Sequence, residues 1–274
     1  MALDFDKYRR DWETNARVDP MWSVLSLPEK MGGAWEADEF YRIGEQEIGE
    51  VFRFMDSHDV QIASTEAALD FGCGLGRLTE ALARRFKVAV GVDISRFMID
   101  KARLRASPNI RYVLSTSPDL AAIDPQHFDF IYSNITLQHL NNDLQETYIR
   151  EFARVLRPGG IAAFQLPREK PIKSAASIFG AAKALSPRRL AALAAQAFQQ
   201  GIFPWQIRME LNVMTETDVT AISSRSGLIA AGCAYIDWER FYASQTFRLL
   251  EAAPTASRYP ISPLYFFRKV DATG

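Results

Sequence analysis

Ala67-Ala-Leu-Asp-Phe71, Gly72-Cys-Gly-Leu-Gly-Arg77 and Val88-Ala-Val-Gly-Val-Asp93 are the three pieces of one stretch that decides the fold. The first is short and apolar and reads as a buried strand. Alternate glycines at 72, 74 and 76 follow at once, so the backbone can turn sharply and approach a ligand with no side chain between. Leu78, Ala81, Leu82 and Arg85 then recur at helical spacing, and Val88 to Val92 is a second apolar strand ending on the carboxylate of Asp93. Strand, glycine turn, helix, strand and acid form a βαβ unit suited to a nucleoside. Asp93, 19 positions after Gly74, is placed to accept hydrogen bonds from ribose hydroxyls. The spacing G-x-G-x-G departs from the dinucleotide fingerprint, and Asp70 stands just before the turn. A carboxylate there repels a pyrophosphate and suits a ligand bearing an ammonium group.

Two later pieces extend the pattern. Phe128-Asp-Phe-Ile-Tyr-Ser133 reads as a buried strand, and Val155-Leu-Arg-Pro-Gly-Gly160 as the turn before another, Ile161 to Leu166. Leu69 to Arg77, with Gly91-Val-Asp-Ile-Ser95, closely resembles motifs I and II of the class I, Rossmann-like S-adenosylmethionine-dependent methyltransferases of small-molecule type. The two later pieces resemble that family's fourth strand and the turn before its fifth. The resemblance is strong over residues 40–166 and rests on pattern alone beyond them. It implies an α/β, three-layer sandwich with a seven-stranded, mostly parallel sheet, an N-terminal helical arm and a helical cap inserted after strand five.

The resemblance also implies S-adenosyl-L-methionine as cofactor, held by Asp70, Gly72, Cys73, Gly74, Gly76, Arg77, Asp93 and Ile94. Thr116 and Ser117 after the third strand, and Asn134 after the fourth, complete that set. Thr116 stands where the family has an acidic residue for the adenine amino group, so the adenine contact must come from a hydroxyl, the backbone or Asp119. Asn134, Gln138 and His139 fall near the transferable methyl. His139 is the histidine best placed for general-base work, and its plainer reading is a helix-start histidine bonded to backbone. Asn134 and Tyr41 are the other candidates for a catalytic role.

Composition sets the outer limits. In 274 residues, 32 Lys and Arg against 33 Asp and Glu leave a net charge of −1, which argues against a nucleic acid held through its phosphates. The two cysteines, Cys73 and Cys233, form no disulfide framework and fit a reducing cytoplasm. The N-terminus is charged from Asp4, so no signal peptide is expected. The longest uncharged run, Leu190 to Ile207, holds Gln196, Gln199, Gln200 and Pro204 and is too polar to span a membrane. No His, Asp and Glu cluster has ligand spacing, so no metal is expected.

Four parts follow along the chain. Residues 1–36, with Tyr8, Trp12, Trp22 and Trp35 among turn residues, read as an arm of two short helices, either covering the sheet edge or forming a lid over the cofactor. Residues 37–167 are the cofactor-binding core, opened by an amphipathic helix from Ala37 to Asp56. Residues 168–213 are the cap. Between Arg168 and Arg208 lie seven basic residues and one acidic, Glu169, and Ser186-Pro187 reads as a helix start. That charge favours an acidic acceptor; a packing element or homodimer contact is the alternative. Residues 214–274 complete the sheet, with a helix capped by Thr215, a sixth strand from Leu228 to Trp238, and a last strand, Pro263 to Val270, pairing antiparallel to it.

The function expected is methyl transfer to a small molecule, with alignment of nucleophile, methyl and sulfur supplying much of the rate. Intramolecular cyclisation or aminocarboxypropyl transfer, both releasing methylthioadenosine, uses the same binding motifs. Methylation of a macromolecule is the third reading, and a cofactor-binding protein without catalysis the fourth.

Overall fold

The computed structural model describes residues 2–169 and 208–270. The expected cap helices, the Ser186-Pro187 start and the charges of Lys170, Lys173, Lys183, Arg188 and Arg189 lie outside them.

The stretch that opens the sequence forms the centre of the sheet. Strand β1 (Ala67–Phe71) is flanked in parallel by β2 (Val88–Asp93) and β4 (Phe128–Ser133), and every residue of β1 and β4 is buried. Strands β3 (Ile110–Leu114) and β5 (Leu156–Gln165) extend it in parallel on either side. Strand β8 (Pro263–Lys269) lies antiparallel between β5 and β6 (Leu228–Ile236). A two-residue strand, β7 (Leu249–Leu250), pairs at the outer edge, giving the order β3-β2-β1-β4-β5-β8-β6-β7. The sheet thus has eight strands where seven were expected, because two residues are too few to show a period of two.

Helices cover both faces. On one, α3 (Ala37–Ser57) and α4 (Arg77–Ala83) pack Ile48, Val51, Met55 and Leu82 onto Ala68, Phe130 and Phe266. On the other, α6 (Asn142–Val155) and α7 (Glu216–Arg225) bury Leu144, Phe152 and Val219 against Leu69, Phe164 and Phe267. Helix α5 (Arg96–Arg103) starts on Ser95, whose side chain accepts from Met98 N, and α7 starts on Thr215, which accepts from Asp218 N. Both caps follow from short hydroxyl side chains at the helix entry.

Three boundaries differ from expectation. The arm is one long helix, α1 (Ala2–Val18), followed by the short α2 (Pro20–Val24), because Phe5, Tyr8 and Ala16 share one buried stripe. Strand β5 starts at Leu156 and carries Pro158 to Gly160 within it; a register irregularity against β4 between Phe128 and Phe130 accommodates them. Strand β6 stops at Ile236, where Asp237 caps α8 (Trp238–Ser244) by accepting from Arg240 N.

Asp129 ties the start of β1 to β5. Its carboxylate accepts from Ala67 N at 2.9 Å and from Arg157 Nη1 at 2.9 and 3.0 Å, and it is almost fully buried. Asp129→Ala leaves both donors without their acceptor, so the urea unfolding free energy should fall by about 1–3 kcal/mol.

Candidate functional site

A cleft opens beyond the carboxyl ends of β1, β2 and β4, where strand order reverses and open α/β sheets take their ligands. Gly72, Cys73 and Gly74 form its floor, with Arg77 beside them. Gly74 has φ +52°, and a Cβ there would stand 2.8 Å from Val24 Cγ2 of α2. A side chain at position 74 is therefore excluded by the arm as well as by any ligand. Gly72 is equally constrained, since its Cβ would lie 2.1 Å from Thr136 Oγ1.

Asp93 locks this turn to the end of β2. Its Oδ2 accepts from Gly74 N and its Oδ1 from Ser95 N, each at 2.8 Å. Burial raises its pKa, opposed by those amide donors. Each oxygen keeps lone-pair capacity for a ribose hydroxyl. Ile94, Met98 and Ser115 continue the wall on this side.

The other end of the cleft is organised by buried charge. Arg77 Nη1 donates to Glu47 Oε2 at 2.7 Å, with Arg77 2% and Glu47 1% exposed. Glu47 Oε1 accepts from Tyr132 Oη at 2.9 Å and from Asn134 Nδ2 at 2.7 Å. Asp70 Oδ2 accepts from Thr79 Oγ1 at 2.6 Å, and burial pushes Asp70 up to about 7. Three buried atoms here have no partner among the described residues: Arg77 Nε, Asn134 Oδ1 and Asp70 Oδ1. One donor and two acceptors suit a carboxylate and an ammonium group, so these residues fit an α-amino acid moiety.

Helix α1 closes the cleft with Phe5, Tyr8 and Trp12, and α2 adds Ser23 and Val24. The arm is held at both ends of the site. Glu13 Oε2 accepts from Ser95 Oγ at 2.8 Å and Phe97 N at 3.1 Å, beside Asp93. On the far side, Asn15 exchanges two hydrogen bonds with the backbone of Arg208, and Lys7 and Tyr8 both donate to the Glu210 carboxylate. Residues 208–212 thus strap α1.

The loop after β4 carries strain. Ile135 lines the cleft with φ +57°, a left-handed conformation that costs a β-branched residue on the order of 1–3 kcal/mol. A directed hydrogen-bond chain holds it. Ile135 N donates to Gln165 Oε1 (3.2 Å), Gln165 Nε2 to Gln138 Oε1 (3.1 Å), and Gln138 Nε2 to His139 Nε2 (3.2 Å). His139 Nδ1 then donates to the carbonyl of Glu210 in the strap at 2.6 Å. The last acceptor is a carbonyl, so the neutral ring must carry its proton on Nδ1.

The structure brings Gly72, Cys73, Gly74, Arg77, Asp93, Ile94 and Asn134 to the cleft. Asp70 and Gly76 support it from beneath; a Cβ on Gly76 would run into Tyr112. Thr116 and Ser117 do not reach the wall, and Ser115 does. Tyr41 donates to Leu75 O at 2.8 Å and steadies the glycine turn from outside. His139 is 7% exposed, sits edge-on to Trp12 and does not line the cleft, so its backbone-bonded reading is the one the geometry favours. Sequence reasoning missed Glu47, Ser115, Ile135 and Tyr148. The signal for Glu47 was a carboxylate in the apolar stripe of α3, in step with Phe40, Ile43, Val51 and Phe54. Among the described residues no His, Cys, Asp and Glu group could hold a metal, and no helix is long and apolar enough to cross a membrane.

The fold and cleft define a Rossmann-like nucleoside-binding domain closed by an N-terminal helix. Residues 68–160 match the family model described as methyltransferase domain, and the chain is similar in sequence and fold to S-adenosylmethionine-dependent methyltransferases. Trans-aconitate 2-methyltransferase of Deinococcus radiodurans is 32% identical over 142 residues, 48% of this chain and 49% of that one. The enzyme of that name from Paracidovorax citrulli is 30% identical over 67% of this chain and 64% of its own. A ubiquinone biosynthesis O-methyltransferase of Saccharophagus degradans is 30% identical over 41% and 48%. The chain spans about half the length of most of these curated relatives. A solved methyltransferase of Leishmania major shares the fold with a TM-score of 0.57 at 15% identity, covering 96% of this chain and 82% of that one. Magnesium protoporphyrin IX methyltransferase of Synechocystis, solved with bound S-adenosylhomocysteine, gives 0.51 at 17%, covering 83% and 84%.

Burial pushes the His139 imidazole down to about 4, although the Glu210 carbonyl and carboxylate both raise it. Its folded pKa is thus below its unfolded value of about 6.5. The stability it contributes is full above that value and is lost as pH falls towards 4. Between pH 6.5 and 5 the parent should lose roughly 1–2 kcal/mol more than His139→Gln, read from urea midpoints at each pH. Parallel pH profiles would show that His139 does not titrate this way.

Proposed function

We propose that the protein transfers the methyl group of S-adenosyl-L-methionine to a small-molecule acceptor. The observation that carries this reading is the cleft's pairing of Asp93 at one end with the unpartnered Arg77, Asn134 and Asp70 atoms at the other. The cofactor supplies an electrophilic methyl on a sulfonium whose departure leaves a neutral thioether. Asp93 takes the ribose hydroxyls, Ile94 and Met98 give the adenine an apolar wall, and Ser115 offers it a hydroxyl and its backbone. Arg77 holds the carboxylate of the methionine portion, and Asn134 its ammonium. Phe5, Tyr8 and Trp12 exclude water, and their aromatic faces suit a nearby cation. With His139 turned to the strap, alignment rather than proton transfer is the main lever, worth up to roughly 7–11 kcal/mol in well-oriented systems.

On this reading residues 1–36 act as the lid, 37–167 with 214–274 as the cofactor core, and 168–213 as the acceptor cap. The excess of basic residues in 168–208 supports an acidic acceptor, in keeping with the name of the trans-aconitate relatives. The free cysteines Cys73 and Cys233 support a reducing cytoplasm as its compartment.

Incubation with S-adenosylmethionine and candidate acceptors, trans-aconitate and a catechol among them, followed by mass spectrometry of the released nucleoside, tests the reaction. S-adenosylhomocysteine is expected; methylthioadenosine would instead support cyclisation or aminocarboxypropyl transfer. Asp93→Ala should weaken S-adenosylhomocysteine binding by roughly 10- to 150-fold in calorimetry, the worth of a hydrogen bond to a charged group. Charge reversal at Arg188 and Arg189 should raise the acceptor KM, less so at high salt, and leave S-adenosylhomocysteine affinity unchanged. A packing or homodimer role predicts a change in Tm or oligomer mass with KM intact.

A further inference from the structure

We infer that Glu47 is a positioning residue: by fixing which end of the Asn134 amide faces the cleft, it makes the Arg77 end selective for a zwitterionic α-amino acid group. This rests on the cofactor reading above and names what recognises one part of that ligand.

A primary amide can present either its oxygen or its NH2 group to a neighbour, and the two orientations have nearly the same shape. A carboxylate decides between them, because it has acceptors only. Glu47 Oε1 already receives Tyr132 Oη at 2.9 Å, and the group facing it from Asn134 at 2.7 Å must be Nδ2. The oxygen is then the end turned away from Glu47. Asn134 lines the cleft, is 5% exposed, and its buried Oδ1 has no partner among the described residues. The same carboxylate receives Arg77 Nη1 on Oε2 at 2.7 Å, and Arg77 keeps an unpartnered donor in Nε. Leaving a buried donor or acceptor unmade is costly, and here one of each lies on two neighbours of a single carboxylate. A ligand fragment that offers a donor to Oδ1 and an acceptor to Nε satisfies both at once. An α-ammonium beside an α-carboxylate has that arrangement.

Without the Glu47 charge the arrangement inverts. In Glu47→Gln the new carbonyl follows the Arg77 cation, and the new NH2 faces Asn134. The Asn134 amide must then turn over, and its own NH2 meets the ligand's ammonium, donor against donor. A purely structural ion pair makes a different forecast: its loss would weaken every ligand of the cleft alike.

The test is calorimetry with three ligands: S-adenosylhomocysteine, its deaminated analogue that keeps the carboxylate, and 5′-methylthioadenosine, which lacks the amino acid. The parent should prefer S-adenosylhomocysteine to the deaminated analogue by roughly ten- to a hundredfold. Glu47→Gln should bring that ratio to near unity while methylthioadenosine affinity changes less than about twofold. Should Glu47→Gln not fold, Asn134→Leu, of similar volume and without an acceptor, must show the same collapse of the ratio. A parent that binds methylthioadenosine and S-adenosylhomocysteine but ignores the amine overturns the inference and leaves the cofactor reading intact. So does a folded variant that keeps the parent's ratio, or one that loses all three ligands equally. A parent that binds none of the three overturns the cofactor reading, and the inference with it.

Discussion

The guanidinium of Arg77 and the carboxylate of Glu47 meet at 2.7 Å with almost no exposure to solvent. Removing two charges from water costs several kcal/mol per ion, and only close geometry with further hydrogen bonds offsets it. Glu47 has those bonds, from Tyr132 and Asn134. Three segments are therefore fixed to one carboxylate: α3, the start of α4 directly after the glycine turn, and the end of β4. Gly44 makes the approach possible, since a Cβ there would lie 2.4 Å from the Arg77 carbonyl. The ligand-facing ends of the sheet thus take their positions from a charge on a helix that does not line the cleft.

That arrangement explains what the sequence could and could not reveal. The unit from Ala67 to Asp93 was legible because its demands are local: a buried strand, glycines that accept positive φ, and an acid at a strand end. The Asp93 contacts could not be read, since they depend on Gly74 and Ser95 amides converging in space. Ser115 replaced Thr116 at the wall because β3 pairs with Asp93 opposite Leu114, which places residue 115 at cleft level. A shift of one residue in a strand reverses the side-chain direction, and no local pattern fixed that register. His139 looked like a base from its type and position, and its partner, a carbonyl 71 residues away, is invisible to spacing.

The chain of amides from Ile135 to Glu210 gives the strained loop a definite polarity. Each member donates in one direction, and a neutral His139 is required at the end, because a protonated ring offers Gln138 a donor in place of an acceptor. The low pKa of His139 and the unusual backbone of Ile135 are in this sense one feature. The loop keeps its shape while the strap keeps its place.

The strap has a consequence for how segments of this chain can be exchanged with those of relatives. Residues 208–212 hold α1 through Asn15, Lys7 and Tyr8, and hold the loop after β4 through His139 and Gln138. Residues 208–212 are therefore not separable from the arm and the loop that they hold. A chimera that imports residues 208–212 from a relative brings in a strap matched to a foreign arm, so α1 would dock badly against it. Positions 7, 8 and 15 should drift together with 208 and 210 during divergence, and successful transplants should be those that carry both ends of the polypeptide segment pair.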